Sequence, residues 1–212
     1  MIGIPPGEFL SALRFRMARR LLLTTPLSVT DICFEVGYTS TGSFTSRFTQ
    51  LIGLPPRLLR RQAHEFELPR IENTEQDPAL PAPVHMKNGF PGWISAPPTF
   101  QGTIYVGLFS RPIPQGPPVS CTQLHAPGFY HLTNISDGVY YLMAAAFPMA
   151  TDLQLYLEPG ENILLAKSAG PIIIHNGYVA GDPNLVLRPP LLTDPPLVMA
   201  LPLRINRKTK RY

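Results

Sequence analysis

At 212 residues the chain is long enough for one or two domains of about 100–200 residues each. Its two cysteines, Cys33 and Cys121, are too few for a disulfide framework. There is no signal-peptide pattern, and no apolar run approaches the roughly 20 residues of a membrane-spanning helix, so a reducing cytoplasm is the natural compartment. The net charge of +4 is unevenly placed. Residues 1–70 hold nine Arg against five acids, which accounts for all of it, whereas the remainder carries nine basic and nine acidic residues.

The most informative stretch runs from Ser28 to Arg60. Ser28 is placed to cap a helix whose apolar residues Val29, Ile32, Cys33 and Val36 recur at three- and four-residue spacing. Gly37 then supplies a left-handed exit. A second helix is expected from about Thr41, with Phe44, Phe48, Leu51 and Ile52 on one face and Thr41, Gly42, Thr45, Ser46 and Thr49 on the other. Gly53 stops it, and Pro55-Pro56 restarts the chain into a short basic helix carrying Arg57, Arg60 and Arg61. Helix, tight turn, helix is the layout of a helix-turn-helix DNA reader.

On these residues the chain resembles the AraC/XylS type of bacterial transcription regulator. The second helix-turn-helix of that family runs as I-A-x-x-x-G-[FY]-x-[ST]-x-x-x-[FL], followed by F-x-x-x-x-G-x-[ST/P]-P. Ile32, Cys33, Gly37, Tyr38, Ser40, Phe44, Phe48, Gly53 and Pro56 fill this pattern. The upstream segment resembles the family's linker helix through Phe9, Leu10, Arg14, Ala18, Leu21 and Leu22. The match covers roughly residues 3–62, under a third of the chain, and it is specific because turn, core and charge positions agree at fixed offsets.

The resemblance implies double-stranded DNA as partner. Thr41, Gly42, Thr45 and Ser46 are expected to reach base edges in the major groove, with Gly42 permitting close approach, and Arg14, Arg19, Arg47, Arg57 and Arg60 to hold phosphates. Two departures carry expectations of their own. The family's domain has two helix-turn-helix units, and Met1 falls in what would be the tail of the first. Ser46 and Thr49 stand where the family often has Arg and Lys, which implies weaker contact with DNA. A single unit makes few phosphate contacts, so specific binding is expected to need a homodimer or the other unit.

From Glu67 to about Pro98 the chain is rich in Pro and acids without a sustained period, which reads as a linker over 67–98. Beyond it, short apolar runs alternate with Gly, Pro and Asn-Asp punctuation: GTIYVGLF, PVSCTQL, FYHLTN, GVYYLMAAAF, LQLYL, NILLA, PIIIH and NLVLR. Seven or eight such strands predict an antiparallel β-sandwich over 99–203, followed by a basic tail over 204–212. Asp137-Gly138 reads as a turn between two strands. Tyr130, Leu132, Tyr140, Leu142 and Ala144 alternate as an inward face, and Tyr105, Phe129 and Tyr141 fall on the opposite one. The expected fold class is therefore α+β in two domains, an all-α helix-turn-helix unit over 1–66 and the sandwich.

Gly102, Ile104, Pro127, Gly128, Tyr130, Leu132, Asn134, Ile135, Gly138, Tyr140, Leu142 and Ala144 give the second part a looser resemblance to transthyretin-like and carboxypeptidase regulatory-like β-sandwiches. Such sandwiches serve as stability, carbohydrate-binding or interaction modules, so the likeness speaks to fold. His64, His85, His125, His131 and His175 lack metal-ligand spacing, although His131 and His175 fall in strands that can meet across a sheet. Neither a Gly-rich phosphate loop nor a GxSxG elbow is present, so no catalytic residue, cofactor or metal is expected. Tyr105, Tyr141 and Phe129 are the candidates for a platform that takes a small apolar or carbohydrate effector. The apolar PIIIH run is expected to be buried on both sides or to sit at a dimer contact. Two functions remain open on this evidence. One is an AraC-type regulator with a sensory or interaction sandwich. The other is a truncated or decayed regulator whose sandwich binds carbohydrate or protein.

Overall fold

The computed structural model describes residues 4–65, 89–149 and 162–199. Four helices come first: α1 (Pro6–Thr24), α2 (Val29–Glu35), α3 (Thr41–Ile52) and α4 (Pro56–Glu65). Pro6 opens α1 where a missing N–H costs nothing, and Ala12, Phe15, Ala18 and Leu22 form its buried stripe. Ser28 caps α2 through a capping box: the Asp31 N–H donates to Ser28 Oγ at 3.1 Å, and the Ser28 N–H donates to Asp31 Oδ2 at 3.1 Å. Gly37, at φ +81°, turns the chain from α2 toward α3 in a conformation that suits glycine. Ser40 caps α3, and Gly53, at φ +93°, closes it with its N–H on Thr49 O at 2.9 Å.

The core of this unit centres on Phe15. Its ring lies 5.3 Å from that of Tyr38, 5.9 Å from Phe44 and 6.1 Å from Phe48, so α1, the turn and α3 share one aromatic cluster. Ile32, Cys33, Ile52 and Leu59 complete it from α2, α3 and α4. Burial pushes the Cys33 thiol above its ordinary pKa, which makes it a small apolar filler.

Nine strands follow among the described residues: β1 (Phe90–Ser95), β2 (Gly102–Phe109), β3 (Ser120–Leu124), β4 (Gly128–Leu132), β5 (Gly138–Pro148), β6 (Leu164–Lys167), β7 (Ile172–His175), β8 (Tyr178–Ala180) and β9 (Leu185–Val186). One sheet has the order β4-β1-β9, the other β3-β2-β5-β7-β8, with β6 paired to the second half of β5. All pairings between these strands are antiparallel except β1 with β9. Between the sheets lie Phe90, Ile94, Ile104, Leu108, Tyr130 and Leu142. The Tyr130 hydroxyl donates to Pro183 O, and burial, aided by Asp182, pushes its pKa up.

The α+β layout matches expectation, and the inward set Tyr130, Leu132, Tyr140, Leu142 and Ala144 is buried. Several details differ. β1 falls inside the stretch that composition assigns to a linker, because Pro91 and Gly92 interrupt its apolar alternation. Asp137-Gly138 does not close a hairpin: β4 and β5 belong to different sheets, and the turn carries the chain across the core. For the same reason His131 and His175 do not face each other in one sheet. His175 instead has its Nδ1 3.4 Å from Asp137 Oδ2 on the surface. PIIIH is one-sided, with Ile172 and Ile174 buried and Ile173 exposed beside Val139. The LQLYL run, most of the expected linker and the basic tail lie outside the described residues.

The expected aromatic platform does not assemble. Tyr105 is buried, edge-on to Phe147 at 5.7 Å and clustered with Ala145, Ile163 and Leu197. Phe129 is in the smaller sheet, exposed, opposite the exposed Trp93, while Tyr141 is half-buried in the larger one. All of β2 is buried because the far face of its sheet is not left to solvent.

The two parts meet. Ile113, from the connection between β2 and β3, and Val198, near the end of the described chain, are buried in the helical core. The Gly116 N–H donates to Leu51 O at 2.8 Å, satisfying a carbonyl in the last turn of α3. Arg111 pairs with Glu8 at 3.1 Å on the surface.

Candidate nucleic-acid interface

A major-groove reader needs a rigid helix whose outward face offers polar side chains to base edges, and an acid-free face avoids repulsion from the phosphates. The sequence of α3, TGSFTSRFTQLI, contains no acid. Its inward face, Phe44, Phe48, Leu51 and Ile52, is buried and fixes the helix to α1 and α2. On the other side Thr41, Gly42 and Ser46 are exposed, while Thr45 is half-buried and accepts the Thr49 hydroxyl on its carbonyl at 2.7 Å. The four expected base-reading residues therefore share one helix, three of them open to solvent.

Cations flank this face at different depths. Arg14 is exposed on α1, and its guanidinium lies 3.5 Å from where a Cβ on Gly37 would sit, so it covers the turn between α2 and α3. Arg47 is half-buried and donates from Nη1 to Gln50 Oε1 at 2.8 Å, which holds it along α3. Arg57 is exposed in the first turn of α4, where unsatisfied backbone N–H groups also favour an anion.

The other two expected phosphate contacts are placed differently. Arg19 is buried at 2 % exposure, and its Nη1 donates to Val198 O and Met199 O, each at 3.0 Å. It cannot reach a phosphate from there. Its position explains why: residue 19 falls in the Phe15–Leu22 stripe that α1 buries, a spacing visible in the sequence. Arg60 donates from Nε to Leu22 O at 2.9 Å and from Nη2 to Leu27 O at 2.7 Å. It thereby caps the C-terminal end of α1, whose last carbonyls attract a cation. Nothing local in the sequence marks that role, because the contact spans 38 residues.

Among the described residues no group of three His, Cys, Asp or Glu side chains is placed to hold a metal ion. No described helix is long and apolar enough to cross a membrane.

Comparison with known proteins agrees with this geometry over the helical part. Residues 1–62 match a family model described as a helix-turn-helix domain. The chain is 37% identical over 60 residues to the HTH-type transcriptional activator AarP of Providencia stuartii, a region that is 28% of this chain and 44% of that protein. The alignment thus spans under half the length of that relative. No solved structure matches the chain significantly. The four N-terminal helices, with a capped α2, a glycine turn and an acid-free α3, form a helix-turn-helix domain.

Proposed function

We propose that the chain is a sequence-specific DNA-binding transcription regulator of the AraC type, acting in the cytoplasm, with its β-sandwich as a sensory or interaction domain. The observation that carries this reading is the exposed, acid-free face of α3, flanked by Arg14, Arg47 and Arg57. In the mechanism, α3 enters the major groove with Thr41, Gly42, Thr45 and Ser46 toward base edges, and the three arginines hold the backbone on either side. The short hydroxyl side chains make few bidentate contacts. Affinity then rests on the phosphate grip and on a second reading head from a homodimer or a further unit.

Selection of bound sequences from a pool of random duplexes tests this reading. The full chain enriches a defined motif, and Thr45→Ala with Ser46→Ala alters the enriched bases while the protein stays folded. Enrichment of no motif by the folded chain overturns sequence-specific reading. A second reading, a decayed regulator whose sandwich binds carbohydrate or protein, draws on the engagement of Arg19 and Arg60 inside the protein, which leaves three of five expected phosphate contacts. It predicts no measurable duplex affinity even at low salt.

A further inference from the structure

The outer face of the larger sheet bears a cavity of about 200 Å³. Its floor is the outward face of β2, β5 and β6, represented by Tyr105, Ala145 and Leu165. One wall is the proline-rich connection between β2 and β3, through Pro114, Pro117 and Pro118. The opposite wall is the segment after β9, through Pro195, Leu197 and Met199. The lining is overwhelmingly apolar. A sugar would bring many hydroxyls here and find few partners, and each unpaired one would be costly to bury.

Charged side chains gather at one end. Arg188 and Asp194 meet there in a two-point ion pair at 2.7 and 2.8 Å, so each neutralises the other. Asp194 also accepts the Leu191 N–H at 2.8 Å. Lys167, at the end of β6, lines the same end and is exposed. Its charge reaches Asp194, whose carboxylate is already committed to Arg188. Among the described residues, the end of the cavity therefore carries one net positive charge over an apolar floor.

We propose that this cavity is a binding site for a small amphipathic monocarboxylate, its ring or hydrocarbon body on Tyr105, Ala145 and Leu165 and its carboxylate toward Lys167. An apolar cavity of about 150 Å³ holds a benzene ring, so this one has room for a slightly larger body. Both walls also touch the helix-turn-helix unit. The β2–β3 connection donates the Gly116 N–H to Leu51 at the end of α3, and the segment after β9 gives its Val198 and Met199 carbonyls to Arg19 of α1. A ligand that spreads or draws in those walls acts on both contacts. This role of the site rests on the sensory reading of the sandwich, whereas occupancy of the cavity does not.

The test uses the full chain and 2-naphthoate as probe, followed by its own fluorescence and by calorimetry, with 2-naphthalenemethanol as the uncharged analogue. Saturable binding of one molecule per chain is expected, at least tenfold weaker for the alcohol and for Lys167→Gln, whose side chain is exposed. Ala145→Phe fills the floor and abolishes binding in variant protein that circular dichroism shows to be folded. No saturable binding at millimolar probe overturns the site, as does undiminished binding by folded Ala145→Phe. Equal affinity for acid and alcohol overturns the assignment to carboxylates. A duplex titration in parallel separates the two readings: loss of DNA binding with intact naphthoate binding leaves the cavity standing and overturns the reader, and the converse overturns the cavity alone.

Discussion

Arg19 of α1 and Val198, 179 residues apart in sequence, are joined by a buried hydrogen bond of 3.0 Å from Nη1 to the backbone carbonyl. Hydrogen bonds from a charged donor contribute about 1.5–3 kcal/mol each, and removing the donor leaves buried carbonyls unsatisfied. Arg19→Met keeps much of the apolar stem but loses the Val198 and Met199 bonds. It should lower unfolding free energy by about 2–3 kcal/mol in urea denaturation. In folded protein it should leave the salt dependence of DNA binding unchanged, because this cation is not available to phosphate.

Arg60 and Arg57 are three residues apart and are expected to behave oppositely. Arg60→Ala uncaps the end of α1 and should cost about 1–3 kcal/mol. Arg57→Ala removes an exposed cation, should change stability by under about 0.5 kcal/mol, and should reduce the slope of log affinity against log salt by about one. Chemical denaturation and a salt series on the two variants check both halves. A reversed pattern would place Arg60 in the interface.

The ion pair of Arg188 and Asp194 makes stability depend on acid pH. The hydrogen bonds from Arg188, then the Leu191 N–H, hold the Asp194 carboxyl below its ordinary range against the opposing effect of burial. A carboxyl with a depressed folded pKa contributes stability that is present above its unfolded pKa of about 3.9 and is lost as pH falls through the lower folded value. The melting temperature of the wild type should fall below about pH 4. Asp194→Asn should be less stable at pH 7 by about 2 kcal/mol, between exposed and buried pairs, and the gap should narrow toward pH 3. A constant gap across that range would show that Asp194 is not the group responsible.

Ser28→Ala removes the α2 cap and the acceptor for the Asp31 N–H, and should cost about 1 kcal/mol. Ser28→Asp, which retains an acceptor, should recover most of it. Equal losses in both variants would indicate that the cap does not limit the stability of this unit.

The helical unit was legible because its signals are local. Ser28, Gly37, Ser40 and Gly53 each act within four residues of themselves, and the stripe Phe44–Phe48–Leu51–Ile52 needs only the helical period. The inner face of the sandwich was legible for the same reason, through the two-residue alternation of β4 and β5. What escaped depends on distant chain. Tyr105 alternates outward, yet it is buried, clustered with Ile163 and Leu197 from distant chain. Arg60 looks like a phosphate contact until the carbonyls of Leu22 and Leu27 arrive beside it. Strand β1 was hidden by Pro91 and Gly92, and the exchange of sheets after β4 is not encoded in the Asp137-Gly138 turn. The cavity had no sequence signature at all, since its walls come from two loops brought together only by the fold.

The central claim is that the helix-turn-helix domain grips DNA through Arg14 and Arg57 and reads it with α3. Fluorescence anisotropy of the purified chain on a labelled promoter-derived duplex and on a random duplex, across a salt series, tests it most directly beside an Arg14→Ala/Arg57→Ala double variant. The account predicts tighter binding to the promoter duplex, affinity that falls linearly on logarithmic axes with salt, and a slope reduced by about two in the double variant. Absence of binding at low salt by the folded chain, or a double variant with an unchanged slope, would contradict it.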